Sequence, residues 1–79
     1  MKYHLVVPKK VQRDIARIDA HYRARIFKAL LALETNPYLG KKLAGEYALQ
    51  RSYMVWPYRI VYEIKSHELV VIVIRVGHR

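Results

Sequence analysis

The chain is predicted to be an α+β domain in the order β-α-α-β-β-β, with a helical hairpin packed on one face of a four-stranded, mostly antiparallel twisted sheet. Three observations carry that expectation. A short alternating stretch opens the chain, two stretches of helical spacing follow it, and three apolar or alternating runs separated by turn residues close it. The 79 residues hold no repeat, low-complexity tract or internal linker, so residues 1–79 are read as one domain.

Each element has a local reason. From Lys2 to Val7, Tyr3, Leu5 and Val7 share one side and His4 and Val6 the other, as in a half-buried strand. Pro8 ends this strand and is tolerated in a first helical turn. Val11, Ile15 and Ile18 then recur at helical spacing, while Lys9, Lys10, Arg13 and Arg17 fall largely elsewhere and give the helix a basic side. Asp19 can stop this helix and cap the next, along which Tyr22, Ile26, Leu30 and Leu33 form a second apolar stripe. The second helix should end near Thr35, because the residue before Pro37 is pushed out of the α region. Residues 36 to 47 read as the one long connection. From Ala48 the pattern is strand, turn, strand, turn, strand, with turns at Trp56-Pro57 and around Ser66-His67 and a last apolar strand from Leu69 to Val76.

Composition narrows the function classes. Fifteen Lys and Arg against six Asp and Glu leave a net charge of +9, and the sequence pI is near 10.1. Like charges repel in a folded domain, so an anionic partner is the natural reason for the excess. Nucleic acid comes first, an acidic protein second and an anionic membrane surface third; the alternative is that the basic residues only solvate helix faces. The absence of cysteine excludes a disulfide scaffold and fits a reducing cytoplasm. No signal peptide is legible, and the longest apolar run, Leu69 to Ile74, is far short of the roughly 20 residues a membrane span needs. None of the four histidines has metal-ligand spacing, so no metal is expected; no small-molecule cofactor is expected either.

The candidate chemistry lies near the end of the chain. In Tyr58-Arg-Ile-Val-Tyr-Glu-Ile, strand parity puts Tyr58, Ile60, Tyr62 and Ile64 on one face and Arg59, Val61, Glu63 and Lys65 on the other. The first set should meet the helices, which leaves Arg59 on an open face. The chain reaches Gly77-His78-Arg79 just after the last strand, and antiparallel pairing could bring His78 and Arg79 near Arg59. Two guanidiniums and an imidazole would suit phosphate chemistry: arginine grips phosphate oxygens in pairs, and histidine titrates near neutrality. Lys41, Lys42 and Arg51 are candidate phosphate contacts. Trp56, at a hairpin turn, is a candidate for stacking a base, packing a partner helix or bracing Pro57. Which residues of the preceding strand share the face of Arg59 depends on register, which sequence does not fix.

The Tyr-Arg-Ile-Val-Tyr-Glu-Ile block, the apolar strand after it and Gly-His-Arg resemble the RelE/ParE toxin superfamily of type II toxin–antitoxin systems. The likeness extends to the first strand, the hairpin ending in Asn36-Pro37 and the Gly-Lys-Lys-Leu-Ala-Gly linker at 40 to 45. It implies a RelE-like mRNA interferase: a metal-independent, ribosome-dependent endoribonuclease of the cytoplasm that cleaves mRNA and inhibits translation under stress. A cognate antitoxin, mRNA on the ribosome and no membrane are the partners implied. The strand arginine of that family falls on Arg59 and the arginine after the last strand on Arg79, with His78 the candidate acid–base group. Positions where relatives carry Lys or Arg are here Ser52 and Met54, and no tail tyrosine follows Arg79. Three readings stay open: a shortened chain, His78 in place of the tyrosine, or a fold that acts without cutting RNA. The last includes a ParE-like poison of DNA gyrase and a disarmed toxin that serves as an antitoxin-binding module.

Overall fold

Five strands form one mixed sheet in the order β1-β5-β4-β3-β2, in a computed structural model whose described residues are 2–79. The elements are β1 (His4–Val6), α1 (Lys9–Ala16), α2 (Ala20–Thr35), β2 (Lys41–Lys42), β3 (Gln50–Val55), β4 (Tyr58–Lys65) and β5 (Val70–His78), with single 3-10 turns at Pro37–Leu39, Gly45–Tyr47 and Ser66–Glu68. The α+β class and the mostly antiparallel sheet are the ones the sequence predicts, with one difference in strand count. The sheet has a fifth strand, because Lys41 and Lys42 pair antiparallel with Ser52 and Arg51. It is mixed because β1 runs parallel to β5, His4 opposite Val70 and Val6 opposite Ile72.

The helices cover one face of the sheet. Val11 and Ile15 of α1 and Ile26, Ala29, Leu30 and Leu33 of α2 pack on Val55, Ile60, Tyr62, Val71, Val73 and Val76 in a single buried cluster. Each fully buried aliphatic side chain contributes about 1.5–3 kcal/mol relative to exposure. The helix ends are satisfied locally. Asp19 accepts a hydrogen bond from the His21 N–H at 2.9 Å, starting α2. Arg23 Nη1 reaches back to the carbonyls of Ile18 and Ala16, at 3.0 and 3.3 Å, where α1 has just ended.

Tyr62 ties the connection after α2 to the sheet. Its hydroxyl donates to the Pro37 carbonyl at 2.6 Å and accepts from the Gly40 N–H at 2.9 Å, all in the interior. Gly40 is required by this approach, since a Cβ there would collide with the Tyr62 hydroxyl and ring edge. Burial raises the pKa of that hydroxyl above the ordinary tyrosine value, and the Gly40 hydrogen bond opposes the rise only in part.

A bulge sets the phase of the last strand. Val61 stands opposite Arg75 and Tyr62 opposite Val73, so Ile74 has no partner. Before the bulge Val71 and Val73 point inward; after it Val76 does, and Arg75 and Gly77 turn to the uncovered face.

Candidate nucleic-acid interface

Three neighbouring rows of side chains on the face without helices hold its candidate groups. Arg59 lies between Met54 on β3 and Gly77 on β5. One row further along, Lys41, Ser52, Val61 and Arg75 stand side by side across β2, β3, β4 and β5. The third row is the β3–β4 hairpin turn, Trp56-Pro57, which has a cis peptide bond. There the Arg79 N–H donates to the Pro57 carbonyl at 3.0 Å, and the Arg79 guanidinium lies 4.5 Å from the centre of the Trp56 ring. Arg79 continues the phase of Arg75 and Gly77. Lys41, Arg59, Arg75 and Arg79 are all exposed.

Electrostatics favour an anion on this face. Its carboxylate, Glu63, is held by Lys65 at 2.8 Å, and that hydrogen bond and charge raise the pKa of the Lys65 ammonium. Among the described residues this is the one ion pair, so Arg59, Arg75, Arg79 and Lys41 keep their charges unpaired. Gly77, with no side chain, leaves room beside Arg59; the nearest atom a Cβ would meet is Arg75 Nη1, at 3.9 Å.

Of the other expected site residues, His78 requires a correction. His78 is not beside Arg59: it stands opposite Tyr58 on the helix-covered face, its ring edge-on to that tyrosine with centroids 5.4 Å apart. Tyr58 in turn meets Tyr22 at 5.6 Å, so His78 ends a row of rings on the far side of the sheet. Arg51 also belongs to the helix side, opposite Tyr62. There Arg51 Nη1 donates to the Gly40 carbonyl at 2.8 Å and its guanidinium sits 5.0 Å from the Tyr38 ring centre, which explains its place structurally. Lys42, opposite Arg51, shares that side, whereas Lys41, opposite Ser52, faces the open side. Trp56 is 56% exposed at the turn.

Arg75 was missed by sequence reasoning. Strict alternation from Val71 and Val73 would bury it, and only the bulge turns it outward. The signal was present in the spacing of the valines, two residues from Val71 to Val73 and three from Val73 to Val76.

A helical hairpin packed on one face of a five-stranded mixed sheet is the fold of the RelE/ParE-superfamily toxins. Residues 5–79 match the family described as the ParE toxin of type II toxin–antitoxin systems (parDE), and the chain belongs to that family. The fold superposes on the toxin–antitoxin complex RelBE2 from Mycobacterium tuberculosis with a TM-score of 0.90 at 26% identity, covering 100% of both chains. It also superposes on the isolated Escherichia coli RelE toxin, with a TM-score of 0.83 at 24% identity over 96% of this chain and 83% of that one. A YoeB/ParE toxin from Agrobacterium tumefaciens gives a TM-score of 0.81 at 21% identity, covering 96% and 98%. No curated protein matches the chain. Among the described residues no helix is long and apolar enough to cross a membrane, and no three His, Cys, Asp or Glu side chains gather as metal ligands would.

Proposed function

We propose that this toxin is a ribosome-dependent endoribonuclease that cuts mRNA in the cytoplasm, with its uncovered sheet face as the RNA-binding surface. The observation that carries the reading is the set of unpaired cations on that one face: Arg59 at its centre, Arg75 and Lys41 in the next row and Arg79 at the hairpin end. Arg59, with the gap at Gly77 beside it, is the group that would hold the scissile phosphate. Arg79 would close on it from the turn, and Trp56 would offer a ring to a neighbouring base. As the 2′-oxygen attacks phosphorus and the P–O5′ bond breaks, with water taking the 2′-hydroxyl proton and water protonating the leaving 5′-oxygen, charge builds on the non-bridging phosphate oxygens, and a fixed guanidinium stabilises that charge more than it stabilises the ground state. Removing one such donor typically costs about 10²- to 10³-fold in rate.

His78 has no part in this chemistry, being on the other side of the sheet. His4 shares the open face but stands opposite Val70, seven residues along β5 from Gly77, or roughly 20 Å. The protein's contribution is therefore orientation and charge stabilisation rather than a histidine acid–base pair. Incubation with translating ribosomes and mapping of messenger breaks tests this reading; breaks made by the wild-type chain and lost with Arg59→Ala support it.

A second reading, a poison of DNA gyrase, is favoured by the match to the ParE family and by Ser52 and Met54, which put no cation on the β3 side of Arg59. A supercoiling assay separates the two.

The protein partner is an antitoxin, as relatives crystallised with RelB suggest. Its amphipathic helix would lie in the apolar groove of about 640 Å3 between β1, α1 and α2. Phe27 and Leu31 are 51% and 63% exposed there. Acidic residues on that partner would meet Lys9, Lys10, Arg13 and Arg17 along exposed parts of α1 and just beyond it.

A further inference from the structure

The uncovered face has a second feature beside the row of phosphate-binding cations. Beside Arg75 lies a hollow of about 310 Å3 lined by Leu43, Tyr47, Gln50, Val61, Ile74 and Arg75. Its walls follow from the local chain path. The Leu43 N–H donates to the Gln50 carbonyl at 3.0 Å, which extends the β2–β3 ladder by one pair and sets Leu43 and Gln50 side by side on the open face. The 3-10 turn Gly45–Tyr47 then carries the chain back toward β3 and leaves Tyr47 55% exposed at the rim. The β5 bulge supplies the opposite rim by turning both Ile74 and Arg75 outward. Val61, only 4% exposed although it faces the open side, is the floor.

From this geometry we infer that the hollow is a nucleobase subsite, taking one base of the RNA strand whose phosphates lie on Arg75 and Arg59; the inference rests on the RNA-binding reading above. The parts match a nucleotide one by one. Tyr47 gives an aromatic face for stacking, the commonest way single-stranded bases are held. Leu43, Val61 and Ile74 give an apolar bed. Gln50, half-buried in the wall, has an amide with a donor and an acceptor, the pairing that suits the N6 and N7 edge of adenine. Arg75 joins this base site to the phosphate site, since its Nη1 comes within 3.9 Å of where a Gly77 Cβ would stand, next to Arg59. The base bound here is a purine, with adenine preferred, and it flanks the scissile linkage.

The test is a titration of the 15N-labelled full chain with adenosine 5′-monophosphate, uridine 5′-monophosphate and ribose 5-phosphate. Adenosine monophosphate is expected to shift the Gln50 side-chain amide and the Tyr47 and Ile74 backbone signals, while ribose 5-phosphate shifts only signals around Arg75 and Arg59. Identical shift maps for the nucleotide and the sugar phosphate would overturn the subsite. In parallel, a short adenine-containing single strand should bind Tyr47→Leu about tenfold more weakly than wild type. Tyr47→Phe should bind it as wild type does, with both variants melting normally. If Arg59→Ala weakens binding of that strand and Tyr47→Leu does not, the phosphate surface stands and the base subsite falls. If the wild-type chain binds no strand at all, both fall.

Discussion

Arg59 stands directly opposite Gly77 across the β4–β5 ladder, so a guanidinium on the open face has an empty place for its neighbour on one side. On its other side is Met54, long but uncharged. That asymmetry leaves room beside Arg59 on the β5 side, where Arg75 also lies and beyond whose end Arg79 follows. An arginine in the middle of a sheet face is pre-organised by the strand that carries it, unlike one on a loop.

Filling that space is expected to damage activity without damaging the fold. A Cβ at Gly77 meets nothing nearer than 3.9 Å and φ there is not positive, so Gly77→Val should keep a normal melting temperature. Messenger cleavage by that variant should fall at least tenfold, as measured by break mapping on ribosomes against wild type.

His78→Ala should leave the cleavage rate and its pH profile unchanged, because the imidazole packs on Tyr58 behind the sheet. Rates measured from pH 6 to 9 check this. A lost or displaced limb in the profile of the variant would mean that His78 reaches the reacting groups after all.

Salt dependence measures how many cations touch the RNA backbone. With four phosphate contacts to a single strand, log K against log salt should slope at about −3. Removal of Arg75 or Lys41 should each reduce the magnitude of the slope by about 0.7, read by fluorescence anisotropy of a labelled strand. Arg51→Met, with its guanidinium engaged by Gly40 and Tyr38 on the other face, should leave the slope unchanged.

Stability above neutral pH should depend on Tyr62. Its folded-state pKa is raised by burial, so the native state keeps this proton at a pH where the unfolded chain, with an ordinary value of about 10, has lost it. Its contribution is complete below pH ~10 and is lost as pH rises from there through the folded value. Tyr62→Phe should abolish that part of the alkaline loss. The same change should destabilise the fold at pH 7 by about 1–3 kcal/mol, because the Gly40 N–H and Pro37 carbonyl are left unpaired in the interior. Chemical denaturation at pH 7 and at pH 10.5 reads both effects.

Much of this architecture was legible in the sequence because it follows from period and punctuation. Pro8, Asp19 and Asn36-Pro37 bracket the helices, and the alternation in Tyr58 to Ile64 gave the inward face of β4 correctly, with Ile60 and Tyr62 fully buried. What escaped depends on pairing. Lys41-Lys42 has no apolar alternation and becomes a strand only because β3 offers an edge to it. The parallel partnership of β1 and β5 is a tertiary choice that neither segment encodes alone. The sides taken by His78 and Arg75 were decided by one unpaired residue, Ile74, which reverses the phase of everything after it. Arg51 was one position out of phase with the open face for a reason visible only in three dimensions, where it braces the Gly40 carbonyl.

The most direct measurement is the rate of messenger cleavage on translating ribosomes by wild type and by Arg59→Ala, with binding of the same RNA measured beside it. The expected result is clear cleavage by wild type, a fall of about 10²- to 10³-fold for the variant, and RNA affinity lowered by less than tenfold. Equal cleavage by the two proteins, or none by wild type together with inhibition of gyrase supercoiling, would contradict the assignment of this face to RNA phosphate.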